Sequence, residues 1–291
     1  MNTTDESDWL YEISPKGKLI DLNFKEIWRY RDLLWLFVKR DIVTVYKQTI
    51  LGPLWFFIQP LFTSVIFTLV FNNIASINTG IIPSFLFNLA GITMWSYFKL
   101  CLNSTSNTFR ANQSMFGKVY FPRVIVPLSK SISNLFRLGI QLLIFIGFYV
   151  YFVFVKGEAV RPSIFVFLAP FYFLIAALFG MGLGMIISSM TTKYRDLNIL
   201  VGFAVQLLMY VSAVPYPLSV MREKQPEYVW LVEVNPITQI IEGFRYLLFQ
   251  DPTVTSFNGN GLVYTTVLAL ILFFVGLIVF NRTEKKFIDT V

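Results

Sequence analysis

Residues 164–189 read IFVFLAPFYFLIAALFGMGLGMIISS, a run without one charged side chain. About 20 apolar residues in a helix cross the roughly 30 Å hydrocarbon core of a bilayer. The stretch is therefore long enough to span a membrane. Five others share its character, at 54–74, 85–106, 132–155, 197–214 and 260–281. Their apolar runs are continuous rather than alternating, which points to helices and away from a β-barrel. The expected fold is an all-α integral membrane protein with six transmembrane helices.

Composition agrees. The chain is 55% hydrophobic, 18% aromatic and 14% charged, against roughly 25% charge in soluble domains. It has no histidine, which excludes most zinc sites and proton relays built on imidazole. The single cysteine, Cys101, can form no disulfide within the chain and is expected to pack inside the second span. The first 50 residues lack an early apolar core, so no cleavable signal peptide is expected.

Orientation follows from the basic residues. With six spans the two termini share a side. Lys and Arg number 18 on that side and 5 on the other, with Lys99 left over inside the second span. The positive-inside rule then places both termini in the cytoplasm. The net charge of +7 reads as a topology signal. No clustered basic face points to nucleic acid.

Before the first span, Asn23 and Glu26 stand in capping-box spacing. Phe24, Ile27, Trp28, Leu34, Trp35, Val38, Ile42, Val45 and Tyr46 then recur at helical spacing. This predicts an amphipathic helix in the membrane interface. The alternative is a helix packed on a soluble partner. The 107–131 loop holds Arg110, Lys118, Arg123 and Lys130 and no acid. A short helix from Asn107 to Phe116, ended by Gly117, is expected there. Pro122 and Pro127 are expected to hold off the next span until 132. Gly180, Gly184 and Ser188, at four-residue spacing, allow close helix approach within the chain or between chains.

Past the fifth span, 218–232 and 236–249 read as two half-length amphipathic helices broken at Asn235-Pro236. Glu242 and Arg245 can pair at i,i+3. Segments this short are expected to be re-entrant or interfacial. No span holds an Asp or Glu away from its ends, which disfavours proton or sodium coupling. No G-x-x-x-x-G-K-[ST] pattern is present, so ATP, if used, is bound by another chain. No catalytic, metal or cofactor residues are expected.

Several motifs stand in order along the chain. They are Tyr46-Lys47-Gln48-Thr49-Ile50-Leu51-Gly52-Pro53-Leu54-Trp55, Lys118-Val119-Tyr120-Phe121-Pro122-Arg123, Tyr194-Arg195-Asp196, Asn235-Pro236 and Glu242-Gly243-Phe244-Arg245. Through them, over residues 25 to 280, the chain resembles the permeases of type-2 ABC exporters of O-antigen and capsular polysaccharide. Teichoic-acid permeases are close behind. The resemblance departs at Lys193, where the family often has Arg.

The resemblance implies a homodimer that works with two copies of a separate ABC ATPase, which binds ATP and Mg. It implies export of lipid-linked polysaccharide across the bacterial inner membrane. The chain is expected to divide into a polar segment at 1–22, which falls outside the resemblance, an interface helix and gate loop at 23–53, a permease domain at 54–281 and a tail at 282–291. Leu51, Gly52 and Pro53 become the cytoplasmic gate. Asn107, Arg110, Phe116, Lys118 and Arg123 couple to the ATPase. Asn235, Pro236, Glu242 and Arg245 form the outer gate. The first and fifth spans line a continuous channel between protomers, through Trp55, Phe56, Gln59, Gln206, Met209 and Tyr210. Lys39, Arg40 and Lys47 attract the lipid phosphate. A small-molecule exporter of the same superfamily is the nearer alternative. A membrane-embedded transferase relying on Glu233, Glu242 and Asp251 is the distant one.

Overall fold

The computed structural model describes residues 24–47, 52–119, 121–194, 196–251, 253–255 and 257–288. The expectations for 1–22, Asn23, Leu51, Tyr120 and Arg195 lie outside the described residues, as do Gln48, Thr49 and Ile50. The described residues are all-helical, without a strand. Five helices are long and apolar enough to cross a bilayer: α3 (Trp55–Ile74), α4 (Ser84–Ser106), α7 (Ile125–Val155), α8 (Ile164–Thr191) and α13 (Gly259–Glu284, continuing to Ile288). A sixth apolar helix, α9 (Leu197–Val211), has 15 residues, or roughly 22 Å at the α-helical rise. The expected span to 214 is cut short because the chain turns at Ser212 and Ala213 takes a positive φ of 51°.

Shorter elements complete the chain. They are α1 (Phe24–Arg29), α2 (Arg31–Lys47), α5 (Thr108–Ala111), α6 (Gln113–Phe116), α10 (Leu218–Lys224), α11 (Val229–Val234) and α12 (Pro236–Leu248). Three boundaries differ from expectation. Helix α7 begins at Ile125, not 132, because Pro127 falls in its first turn, where a missing N–H has no intrahelical acceptor to lose. The 218–232 segment is two helices, because Pro226 drives Gln225 out of helical geometry, to φ −141° and ψ 61°. The 107–116 segment is two single turns separated at Asn112, with φ −119°.

Helix α8 is the centre of the bundle, packed on α4 and α13. Added Cβ atoms at Gly180 and Gly184 would meet the α4 backbone at Phe98 and Leu102, 2.9 and 2.8 Å away. Ser188 accepts a 3.3 Å hydrogen bond from the Phe109 N–H. The small-residue stripe therefore packs within the chain. A second stripe, unread in the sequence, faces the other way: Gly182 lies against Leu272 and Phe273, and Gly276 against Gly182. Lipid tails are as apolar as the helices, so close van der Waals fit drives this packing. Cys101 is fully buried in it, on the face of α4 that meets Gly180.

At one end, α2, the 107–123 loop and the end of α13 gather. Phe37, Phe109, Phe116, Phe121 and Phe280 form its core, with Phe109 stacked on Phe280 at 4.4 Å. Helix α2 buries Phe37 and Val38 and turns Trp35 outward, and Trp28 on α1 is exposed as well. Asp41 ties it to the bundle through Lys130 at 2.9 Å. The opposite end gathers the loops at 75–83, 156–163 and 249–255. The Ser163 N–H bonds the Leu247 carbonyl there, and the Ile81 N–H the Asp251 carboxylate.

Candidate functional site

A cleft of about 600 Å³ opens between α3, α4, α7 and α9. The start of α3 supplies Trp55, Phe56, Gln59 and Thr63 to its wall, and α9 supplies Gln206 and Met209. Five of the six expected channel residues thus line one space. Tyr210 is absent from that lining and is half exposed; its carbonyl accepts a hydrogen bond from the Tyr216 hydroxyl. The geometry of α3 explains the rest. Positions 55, 56, 59 and 63 fall three and four apart, so they share one side of a helix.

Sequence reasoning missed the remaining wall. Helix α4 contributes Trp95, Ser96, Lys99 and Asn103, and α7 contributes Arg137 and Gln141. The Arg137 guanidinium lies 4.8 Å from the centre of the Phe56 ring. Gln141 donates to the Phe56 carbonyl at 3.1 Å, holding the α3 entry against α7. Arg137 was legible: it is a charge inside an apolar stretch, but it had been counted with the basic loop before it. Among the described residues, the cleft wall contains two cations, amides, hydroxyls and aromatic side chains, and no carboxylate. Such a surface can stack sugar rings, hydrogen-bond hydroxyls and attract anions.

At the end that holds α2, Gly52 and Pro53 form a 3-10 turn with Leu54. Gly52 has a positive φ of 50°, a conformation open to glycine at little cost. Of the expected coupling residues, Asn107, Arg110 and Lys118 are exposed, whereas Phe116 and Arg123 are buried. Arg123 donates to the Phe116 carbonyl at 3.3 Å and the Glu284 carbonyl at 3.2 Å. These two brace the loop against α13 from beneath. Lys39, Arg40 and Lys47 are exposed on α2. Arg40 is bonded to Asp41 at 3.0 Å.

The opposite end is built around α12. Asn235 caps it by accepting from the Ile237 N–H at 3.0 Å. Its amide also donates to the Ser212 hydroxyl at 2.9 Å. Pro236 occupies the first helical position. Arg245, fully buried, donates to Glu242 at 2.8 Å and to the Ala213 and Val214 carbonyls at 2.7 and 2.6 Å. These bonds satisfy the carbonyls that the left-handed turn at Ala213 takes out of α9. Beside it, burial would raise the Asp251 carboxyl. Hydrogen bonds from the Thr253 hydroxyl, the Thr253 N–H and the Ile81 N–H outweigh burial and hold it below its ordinary range. Among the described residues no group of His, Cys, Asp and Glu is placed to hold a metal ion.

Comparison with known proteins adds a family. The model of the ABC-2 type transporter family matches residues 32–249. The O-antigen export system permease protein RfbA of Klebsiella pneumoniae is 28% identical over 260 residues, covering 89% of this chain and 94% of that protein. A Myxococcus xanthus protein of the same description is 23% identical over 269 residues, covering 92% and 98%. The capsule polysaccharide export inner-membrane protein CtrC of Neisseria meningitidis is 24% identical over 246 residues, covering 84% and 89%.

Proposed function

The chain belongs to the ABC-2 type transporter family, and from that premise we propose that it is the permease subunit of an exporter of lipid-linked surface polysaccharide. It resides in the bacterial inner membrane with both termini in the cytoplasm. A separate ATPase, bound at α2 and the 107–118 loop through Asn107, Arg110 and Lys118, supplies ATP and Mg. Two copies of the chain pair, two ATPase chains complete the assembly, and α9 serves as the sixth span. The α10–α12 segment re-enters the bilayer from outside, and Asn235, Pro236, Glu242 and Arg245 hold the outer gate. Residues 51–53 hold the inner gate, and Lys39, Arg40 and Lys47 draw lipid phosphate to the surface.

The observation that supports the reading most is the cleft. Trp55 and Phe56 offer ring surface beside Gln59, Asn103 and Gln206. Aromatic faces hold sugars without fixing each one, so a polymer can slide. Movement follows a switch between two states biased by nucleotide in the partner.

Depleting the protein and extracting membrane lipids tests this. Lipid-linked polymer should accumulate inside the cell while surface glycan falls. An unchanged lipid-linked pool with normal surface glycan would overturn the reading and move the search to small-molecule cargo.

A further inference from the structure

We propose that Lys99 and Arg137 form a diphosphate-binding subsite within the cleft, which holds the lipid-proximal end of the glycan during loading. The inference rests on the export reading and names a recognition element within it.

Cations within spanning helices are costly unless compensated. Arg137 is half-buried and Lys99 is exposed; the other buried or half-buried cations among the described residues have partners: Arg245 has Glu242, Arg123 has Glu284, and Lys130 has Asp41. Among the described residues Lys99 and Arg137 form no ion pair and no hydrogen bond to protein. The carboxylate that Arg137 senses electrostatically is Asp41, and Asp41 already binds Arg40 and Lys130. Two cations from different helices, α4 and α7, thus face one cleft whose wall, among the described residues, has no acid. The place calls for an anion delivered from outside the chain. Stacking on Phe56 leaves the edge of the Arg137 guanidinium for bidentate donation to phosphate.

Mobility selects which anion. A charge on every sugar repeat would be caught by these cations at each step, and sliding would stall. An anionic group present once, at the lipid-linked end, is caught once and then leaves a neutral polymer running over Trp55 and Phe56. Phe56 and Trp55 open α3 on the side where α2 lies, which is the loading side in the proposed orientation.

Binding to the full chain in lipid nanodiscs decides it, with farnesyl-diphosphate-linked N-acetylglucosamine as probe. The same glycolipid without phosphates and inorganic pyrophosphate serve as references. Wild type should bind the diphosphate probe roughly tenfold or more tighter than the phosphate-free one. Lys99→Gln and Arg137→Gln should each erase most of that preference. Lys99→Arg, which keeps the charge, should retain it and guard against misfolding as the cause, whereas Arg137→Lys should retain only part, because it loses the bidentate fork. A preference that survives in the double Gln variant would overturn the proposal. So would inorganic pyrophosphate or an oligogalacturonate binding as tightly as the probe, since the site would then read any anion. If depletion causes lipid-linked glycan to accumulate while the double Gln variant exports normally, export stands and the subsite falls.

Discussion

The guanidinium carbon of Arg245 lies 3.6 Å from the centre of the Phe87 ring. Helix α12 is thereby riveted to α4. Gly91 makes room, since a methyl there would fall on the Arg245 side chain. The residue also bonds Glu242 and two carbonyls past the end of α9. Arg245→Ala leaves Glu242 buried without its partner and those carbonyls without donors, at a cost of about 3–5 kcal/mol. Thermal unfolding of the purified chain should show a large loss. The double variant Glu242→Gln/Arg245→Met should lose less than Arg245→Ala, because no unpaired charge remains.

Glycines with backbone at their faces should resist enlargement. Gly182→Ala and Gly184→Ala each force α8 away from α13 or α4, costing about 1–3 kcal/mol. Gly202, whose added Cβ would meet nothing within 4 Å, should accept alanine without loss. Thermal stability of the three variants in one detergent checks the contrast.

The Asp251 carboxylate links the loop at 251–255 to the Ile81 amide. Its folded pKa lies below its unfolded one. Its stabilisation is therefore full above the unfolded value and disappears as pH falls through the folded value. Amide exchange at Ile81 should be protected at neutral pH and lose that protection below the ordinary aspartate range. Asp251→Ala should show the low-pH exchange rate throughout. Gly80, at a positive φ of 62° and against the Asp251 carboxylate, should tolerate no side chain.

Exposed and buried members of the 107–123 loop should behave differently. Arg110→Glu and Lys118→Glu should weaken association with the ATPase while leaving stability within about 0.5 kcal/mol of wild type. Phe116→Ala removes a core ring between Phe109 and Phe121 and should cost about 3–5 kcal/mol. Co-purification yield and unfolding temperature, measured on the same variants, separate the two effects.

Much of the bundle was legible because membrane spans have a length and composition that little else shares. What resisted reading depended on context. Pro127 reads in sequence as a stop signal, although a proline in a first turn is compatible with a helix. Pro226 was passed over, although it splits the segment after α9. Gly180 and Gly184 announced themselves by spacing, while Gly182 and Gly276 face each other from distant parts of the chain and have no shared local pattern. In the cleft, α3 and α9 carry residues that the family resemblance names for a channel between protomers. The α4 and α7 walls were missed because Arg137 was credited to topology and Lys99 to snorkelling. Only folding brings these two cations to one space.

That space has a bearing on the cell's energy supply. A wide pore for a polymer is a danger in a membrane that stores work as a proton gradient. Fixed positive charges in a narrow apolar surround repel hydronium, sodium and potassium ions. If the cleft carries the glycan as proposed, its two cations, with no carboxylate among the described residues of its wall, would oppose leakage of those ions even while a neutral glycan occupies it.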